Sequence, residues 1–427
     1  MNDGLEEQFT SQQKRTLQAL LPAQYTNITT EEQLHDIQSV SGIYPILDQS
    51  IKLRSFIITL KKAEGRSMSM RLNPGIFDLA GFIDIERDHY STADLSSRSA
   101  GRYREARQRV LIEWKVVQPH VDFSLSWNSE ILLDRVDRLA SLLKYASSIT
   151  SMRVPKCLGF HDDLHQNGRL GLVYGGLDEE DTSRIPSPNK HQLLVTSLWS
   201  LLGPPKKLPP LGDRFALAIT LCETLLQLHT VGWLHKGLRS HNIAFVPPIS
   251  PDSGNDTSML TSDKAFKATD ITKPWLLGFE YARPDAPNET SESVDFGFED
   301  HFLYVHPDLL SRVYAPSEIE KRYCRRFDVY SLGCILLEIG LWKRLSDLWK
   351  PKYRGDPEVF RSRLIKLWTP ELEGRCGSIY TSAVRDCLEG FSGVGDPSEV
   401  THQEVKNVEE LDWFFQKVLF KLQCCKV

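Results

Sequence analysis

The sequence predicts an α+β protein in which a strand-rich first half precedes a mainly helical second half. β-Branched and aromatic residues concentrate in two early segments, 51–60 (IKLRSFIITL) and 110–117 (VLIEWKVV), as is typical of strands. Apolar residues return every three or four positions over 215–226, which is the spacing of an amphipathic helix. The run 329–339 (VYSLGCILLEI) is apolar almost all round and therefore predicts a buried helix.

The composition is that of an ordinary globular protein, and it limits the kinds of partner. The chain has 427 residues, of which 41% are hydrophobic and 25% charged, and its net charge is -5. This charge argues against nucleic-acid binding, and no apolar run is long enough to span a bilayer. Eight scattered cysteines form no CxxC pair, and the N-terminal residues are polar rather than signal-like. We therefore expect a cytoplasmic protein in a reducing compartment, without a zinc site or a disulfide framework.

The first elements follow a polar N-terminal segment. Residues 1–50 carry only short apolar patches and predict a helical extension that cannot form a core alone. After the strand at 51–60, the segment 80–118 is strand-like again, with a small polar loop at 91–101. Apolar residues at helical spacing then predict a helix over 131–146.

Two later stretches predict exposed loops. After a predicted strand at 171–174, residues 178–189 are rich in acidic residues, Ser and Pro. Residues 247–273 contain PPISPDSGNDTS and lack apolar periodicity. We expect both stretches to lie on the surface, and no internal repeat accompanies them.

Residues 232–245 (GWLHKGLRSHNIAF) carry the frame of the kinase catalytic loop, H-R-D-L-x-x-x-N. The His, Leu and Asn fall at the right offsets, but Gly237 stands where the motif has its Asp. Four further segments match kinase motifs in the right order: Lys115 ends VLIEWK as in V-A-I-K, LLGFE (276–280) takes the place of D-F-G, HPD (306–308) that of A-P-E, and DVYSLG (328–333) matches the D-x-Y-S-x-G of a buried kinase helix.

Together these five segments resemble the protein-kinase family over roughly residues 80–423. The run at 232–245 is further similar to fungal kinase-like proteins that are often associated with HeLo domains and read G-F-E instead of D-F-G. The resemblance implies an α+β, bilobal protein-kinase-like fold. Its parts would be an N-terminal helical extension at 1–50, a β-rich N-lobe at 51–178 and an α-helical C-lobe at 179–427. The extension is too short for a HeLo domain, so we expect that effector to be absent from this sequence or lost by truncation.

The resemblance also implies a cofactor site. In the family the strand lysine, here Lys115, holds the α/β-phosphates of ATP and pairs with a carboxylate on the following helix. Glu130, Asp134 and Asp137 are the candidates for that carboxylate, and Asp137 is the expected one. Asn242 is the candidate magnesium ligand; the competing interpretation is that it only stabilises its turn.

The two carboxylates that do the family's chemistry are missing. Gly237 replaces the catalytic Asp, which accepts the proton of the substrate hydroxyl, and Gly278 replaces the D-F-G Asp, which binds magnesium. Glu280 is the nearest carboxylate to the second position, but the family's geometry points it elsewhere. Neither glycine can act as a base or a metal ligand.

Two further residues are expected to have structural roles by the same resemblance. His235 would pack the loop against Phe279, and Asp328 would accept backbone N–H bonds from the loop at the start of a buried helix. We therefore assign a catalytic role to no residue of this chain.

The resemblance therefore predicts a kinase-fold signalling or scaffold protein, a pseudokinase with weak or no ATP binding. No G-x-G-x-x-G occurs between about 81 and 110, so the phosphate-cradling loop is also missing. ATP is the candidate cofactor, and the missing carboxylates argue against magnesium. The alternative is an active ATP-dependent Ser/Thr-type kinase with rearranged catalytic residues. The expected partner is a protein rather than a nucleic acid or a membrane.

Two smaller signals lie outside this motif set. Arg322, Arg325 and Arg326 predict either a solvated face or packing against the activation-segment region, with phospho-residue binding as the alternative. The C-terminal CCKV superficially fits C-a-a-X, but Lys426 at an aliphatic position argues against prenylation of Cys424.

Overall fold

A computed structural model shows that helices and strands are mixed in this chain and that the strands form small sheets, which confirms the α+β prediction. The structure describes residues 49, 51–56, 69–73, 77–78, 98–103, 108–117, 128–149, 151–175, 195–203, 208–246, 269–285, 300–314, 323–353, 356–391 and 409–425. The predicted extension at 1–50, apart from Gln49, and the predicted loops at 178–189 and 247–273, apart from residues 269–273, lie outside these ranges.

In the described part of the chain, ten strands form three sheets. The largest is a five-stranded antiparallel sheet of order β1-β2-β3-β5-β4, and the smaller ones have the orders β10-β7 and β6-β8-β9. The strands are β1 (Phe77–Asp78), β2 (Arg98–Tyr103), β3 (Gln108–Val116), β4 (Lys156–Asp163), β5 (Arg169–Gly175), β6 (Thr196–Ser197), β7 (Trp233–Leu234), β8 (Ile243–Phe245), β9 (Trp275–Leu276) and β10 (Arg283–Pro284).

Helices dominate the chain after β5. In the described residues the α-helices are the segment 51–56, α1 (Asn128–Ala146), α2 (Leu164–Asn167), α3 (Leu198–Leu202), α4 (Leu211–Thr230), α5 (Pro307–Tyr314), α6 (Arg325–Leu341), α7 (Leu345–Leu348), α8 (Pro357–Arg363), α9 (Glu373–Glu389), the segment 409–414 and α10 (Phe420–Gln423). Shorter helical turns are Ser240–Asn242, Phe279–Tyr281, His301–Tyr304, Pro351–Tyr353, Leu364–Trp368, Pro370–Leu372 and Phe415–Leu419.

The predicted helices at 131–146, 215–226 and 329–339 are confirmed as α1, α4 and α6. All residues of α6 except Arg326 are buried, as its all-round apolar sequence predicts, and the helix packs against α9 and α4. Asp328 of this buried helix accepts backbone N–H groups at the start of the loop at 235–242.

Strand β3 turns two different faces to its surroundings. Val110, Ile112 and Trp114 pack with Val173 in a small cluster of their own. The alternate residues 111, 113 and 115 face α1 and Phe279, because side chains alternate along a strand. Glu113 and Lys115 therefore point towards the inside of the molecule.

Two strand and loop predictions were wrong. Residues 51–56 are helical rather than extended, and the Phe56 ring stacks on Tyr145 of α1 at a centroid distance of 4.0 Å. Tertiary packing against α1 overrides the β-branched propensity there. Residues 98–101 of the predicted loop at 91–101 belong to strand β2, because backbone pairing with β1 and β3 holds them extended; residues 91–97 lie outside the described ranges.

The segment 69–73 runs along the outer edge of the large sheet at β4. The Leu72 N–H donates to the Phe160 carbonyl at 2.8 Å, and the Phe160 N–H donates to the Met70 carbonyl at 3.0 Å. Gly159 has φ +151°, and a Cβ there would lie 2.2 Å from the Met70 carbonyl oxygen. The close approach of this strap, residues 69–73, therefore requires glycine at 159.

Within the described ranges, no helix is long and apolar enough to cross a membrane.

Candidate functional site

The structure brings the glycine positions and Asn242 together beside β3. Strands β8 and β9 pair Ile243 with Leu276, and the Leu277 N–H donates to the Asn242 carbonyl at 2.8 Å. The Asn242 side chain donates from Nδ2 to the Gly237 carbonyl at 2.6 Å. Positions 237, 242 and 278, which are far apart in sequence, therefore form one small site.

Gly278 has no room for a side chain. Its φ is +89°, a conformation that favours glycine, and a Cβ there would lie 2.1 Å from Asn242 Nδ2. Glycine at 278 thus permits the close approach of Asn242.

Glu113 of β3 is the hub of this site. Its side chain is 2% exposed, and its carboxylate accepts the Gly278 N–H at 2.8 Å and the Phe279 N–H at 3.4 Å. The Tyr174 hydroxyl donates to the same carboxylate at 3.1 Å. Burial and the Glu113 carboxylate raise the pKa of Tyr174, so the phenol stays protonated. These donors stabilise a buried negative charge next to the glycine position 278.

Arg98 of β2 neutralises that charge. Its Nε donates to Glu113 Oε1 at 3.0 Å, and its Nη2 lies 2.9 Å from the same oxygen. The other end of the guanidinium donates from Nη1 to the His241 carbonyl at 3.2 Å and from Nη2 to Asn242 Oδ1. One cation therefore joins β3 to the turn at Ser240–Asn242.

Lys115 lies two residues beyond Glu113 on the same face of β3. Its Nζ is 5.8 Å from the centroid of the Tyr281 ring. Lys115 and Glu113 line a crevice between β3, β5, α1 and Glu280 with a volume of about 10 Å³. That volume suits about one water molecule. In this crevice Glu113, rather than Lys115, is the strand residue that hydrogen-bonds position 278.

The carboxylate expected to pair with Lys115 is engaged by the strap. Asp137 Oδ1 accepts the Met70 N–H at 2.7 Å and the Ser69 hydroxyl at 2.9 Å. Asp134 pairs with Arg138 along the exposed side of α1. Asp137 therefore ties α1 to the strap, and a Lys115–Asp137 pair stays a prediction.

Glu280 also faces the crevice. Burial and the neighbouring Glu113 carboxylate raise the pKa of Glu280 to about 7, although Arg98 acts in the opposite direction. Two carboxylates and one guanidinium thus share this part of the molecule, and Glu280 is the member whose charge changes near neutral pH.

Asp328 at the start of α6 accepts four donors. It receives the His235 N–H at 2.8 Å, the Lys236 N–H at 2.9 Å and the Tyr323 hydroxyl at 2.8 Å, and its Oδ2 lies 3.1 Å from His229 Nε2. Lys236 has φ 65°, which is strained for a side-chain-bearing residue. The two backbone bonds expected of Asp328 are present, and they hold that strained turn.

His235 packs against Phe279, with ring centroids 4.6 Å apart. Its Nδ1 accepts the Gly237 N–H at 3.1 Å. Burial lowers the pKa of His235 to about 4, so the imidazole is neutral at physiological pH. His235 therefore links the loop at 237 to the segment at 279 as a packing residue.

The basic cluster is paired with acids. Arg325 Nη2 lies 3.1 Å from Asp285 Oδ2, and Arg326 Nη2 lies 2.9 Å from Asp308 Oδ2. Both aspartates belong to the 269–314 region that precedes α6, so these contacts support the predicted packing between the cluster and that region. Arg322 lies outside the described residues.

Oxygen atoms of this site that could bind a magnesium ion already accept hydrogen bonds from Arg98. Magnesium prefers carboxylate, carbonyl and water oxygens. The Oδ1 oxygen of Asn242 and the Oε1 oxygen of Glu113 already accept from Arg98. Across the described part of the chain, no group of three His, Cys, Asp or Glu side chains could hold a metal.

Sequence reasoning missed Arg98 and Glu113. Glu113 carries a signal, since a glutamate between Ile112 and Trp114 in an apolar strand is a buried charge that needs a partner. Arg98 carries no such signal, because it lies in the small, polar segment 91–101, whose composition is typical of a loop. The strand alternation alone could have placed Glu113 on the same inner face as Lys115.

No family model matches the chain, and no curated protein matches it.

Proposed function

We propose that this chain is a bilobal protein-kinase-like domain that acts as a signalling or scaffold module, with little or no phosphoryl transfer and weak or no ATP binding. The element order supports this assignment, because an antiparallel sheet with one long helix precedes a helical region. The convergence of positions 237, 242 and 278 beside β3 supports it further.

The observation that carries the proposal is the network in which Arg98 pairs with Glu113 and donates a hydrogen bond to Asn242. In the family this part of the cleft binds a metal and phosphates through a lysine and two carboxylates. In this chain a buried carboxylate, Glu113, lies two residues before Lys115 on the same face of β3. Arg98 neutralises that carboxylate, so the network needs no phosphate or metal ion.

Magnitudes favour a non-catalytic role. A positioned general base contributes about 10²–10⁴-fold to a rate, and Gly237 cannot supply one. Breaking a buried ion pair such as Arg98–Glu113 to admit phosphates costs about 3–5 kcal/mol. Both effects act against phosphoryl transfer, which relies on positioning and charge stabilisation.

A second candidate function is an active ATP-dependent Ser/Thr-type kinase with rearranged residues. Glu280 is the observation that favours it, because a carboxyl with a pKa of about 7 suits a general base at neutral pH. It lines the same crevice as Lys115, the candidate phosphate-binding residue.

The proposal includes a protein partner and an intracellular location. All eight cysteines are free thiols, which suits a reducing compartment. The net charge of -5 favours a protein partner over a nucleic acid.

One phosphoryl-transfer assay separates the two functions. Wild type, Lys115→Ala and Glu280→Gln are incubated with labelled ATP, magnesium and a generic Ser/Thr substrate. We expect all three to give the same background, and thermal shifts with ATP to be small and insensitive to magnesium. ATP-dependent phosphorylation by the wild type that disappears in either variant would overturn the proposal in favour of the kinase.

A further inference from the structure

Three oxygen atoms surround the Arg98 guanidinium. Glu113 Oε1 lies 3.0 Å from Nε and 2.9 Å from Nη2, and the His241 carbonyl oxygen lies 3.2 Å from Nη1. The third is Asn242 Oδ1, which accepts from Nη2. They come from strand β3 and the turn Ser240–Asn242, and the guanidinium bonds directly to both.

These oxygens are of the kinds that bind hard divalent cations. Carboxylate, backbone carbonyl and side-chain amide oxygens are the ligands that Ca²⁺ takes, and Mg²⁺ binds the same kinds together with waters. Glu113 keeps three other donors, the Gly278 and Phe279 N–H groups and the Tyr174 hydroxyl, so its carboxylate stays oriented without Arg98.

A guanidinium is a permanent substitute for such a cation. It keeps its positive charge at every physiological pH. Its planar set of donors matches oxygens in different directions, and the Arg98 side chain is only 14% exposed. Arg98 also lowers the pKa of Glu280, so its positive charge acts on a second acidic group beside Glu113.

We propose that Arg98 is a tethered cation that occupies a divalent-metal position of this site, so that the chain needs no metal there. The inference rests on the contacts of Arg98 alone and stands whether or not the domain transfers phosphate. It follows that removing the guanidinium converts the three oxygens into a binding site for a hard divalent cation.

The test uses the full chain with Mn²⁺, Mg²⁺ or Ca²⁺ as the probe and no nucleotide. The variants are Arg98→Ala, Arg98→Lys and the double change Arg98→Ala with Glu113→Gln. Arg138→Ala is the matched control, because Arg138 is an exposed arginine that pairs with Asp134 on α1. Mn²⁺ binding is followed by electron paramagnetic resonance, and stability by thermal unfolding with and without EDTA.

We expect Arg98→Ala to gain one bound Mn²⁺ per chain and to unfold at a higher temperature with divalent cations than with EDTA. Wild type, Arg98→Lys, Arg138→Ala and the double variant should gain neither. A folded Arg98→Ala that binds no divalent cation would overturn the inference, as would wild type that binds Mn²⁺ through Glu113. If Arg98→Ala unfolds in EDTA, refolding by Mn²⁺ supports the inference, and failure to refold with any of the cations contradicts it.

Discussion

Gly237 and Gly278 face each other so closely that a Cβ on Gly237 would lie 2.6 Å from the Gly278 carbonyl oxygen. A Cβ on Gly278 would lie 2.1 Å from Asn242 Nδ2, which donates to the Gly237 carbonyl. The tight packing of the loop therefore requires glycine at both positions. A side chain placed at either position would open this packing.

The first prediction is that Gly278→Ala lowers the free energy of unfolding by ~2 kcal/mol or more, because φ +89° strains any side chain and the Cβ meets Asn242. Gly278→Asp, alone or with Gly237→Asp, should be at least as harmful and should not create phosphoryl transfer. Chemical denaturation checks the stability. Gly374→Ala is the control, because nothing lies within 4 Å of a Cβ there and helix propensity should improve. A stable, active Gly237→Asp/Gly278→Asp protein would contradict this prediction.

The sequence motifs predicted the positions of the site better than its contacts. The Asp328 bonds could be expected because the motif joins the loop and the buried helix. The Arg98 network could not, since Arg98 meets Glu113 15 residues away and Asn242 144 residues away. Such contacts depend on which residues of neighbouring strands lie opposite each other. A shift of one residue would turn each side chain of the strand to the other face of the sheet. The helical segment 51–56 could not be predicted either, because its Phe56 packs against Tyr145, a contact between residues far apart in the sequence.

A second prediction concerns Asp328. Asp328→Ala should lower the free energy of unfolding by ~3 kcal/mol or more, because it leaves two backbone N–H groups and the Tyr323 hydroxyl without their acceptor in a buried place. Asp308→Ala, which breaks a half-exposed pair with Arg326, should cost below ~1 kcal/mol. Equal losses of unfolding free energy for the two substitutions in chemical denaturation would contradict the prediction that Asp328 stabilises the turn at His235 and Lys236.

A third prediction concerns the strap at 69–73. Gly159→Ala should detach it from β4, because the added methyl would overlap the Met70 carbonyl. Hydrogen exchange at the Phe160 and Leu72 amides, which bond across this edge, should accelerate at least about tenfold. Asp137→Ala removes the other anchor of the strap and should accelerate exchange at Met70 most. Unchanged protection of all three amides in both variants would show that the strap is held by other contacts.

Glu338 in α6 is a buried acid away from the Arg98 network. Its Oε1 accepts the Tyr304 hydroxyl and the Leu345 N–H, both at 2.7 Å, and Tyr304 in turn hydrogen-bonds Ser240 at 2.8 Å. Burial raises the pKa of Glu338 to about 8, against the effect of these donors. The folded protein therefore holds a proton on Glu338 that the unfolded chain releases above its ordinary pKa of 4.5.

The last prediction is a loss of stability as pH rises towards 8. A carboxyl whose folded pKa is raised stabilises the protein below pH 4.5 and loses that contribution up to about pH 8. The buried His235 and His301, whose pKa values fall to about 4 and 3, act with the opposite sign, but only below pH 6.5. Glu280, with a pKa of about 7, adds to the loss up to that pH. The Glu338 effect is therefore clearest between pH 7 and 8.

We expect the free energy of unfolding of the wild type to fall by up to ~1.4 kcal/mol per pH unit in that window through Glu338 alone. Glu338→Gln keeps an acceptor for Tyr304 and Leu345 and cannot ionise, so its slope should be flatter by that amount. Glu358→Gln, an exposed glutamate paired with Arg361, should keep the wild-type slope. Urea denaturation at pH 6.5, 7, 7.5 and 8 measures the three slopes. Parallel slopes for the wild type and Glu338→Gln would mean that Glu338 is already ionised in the folded protein at pH 7, because only a proton held by the folded state can make stability fall in this range.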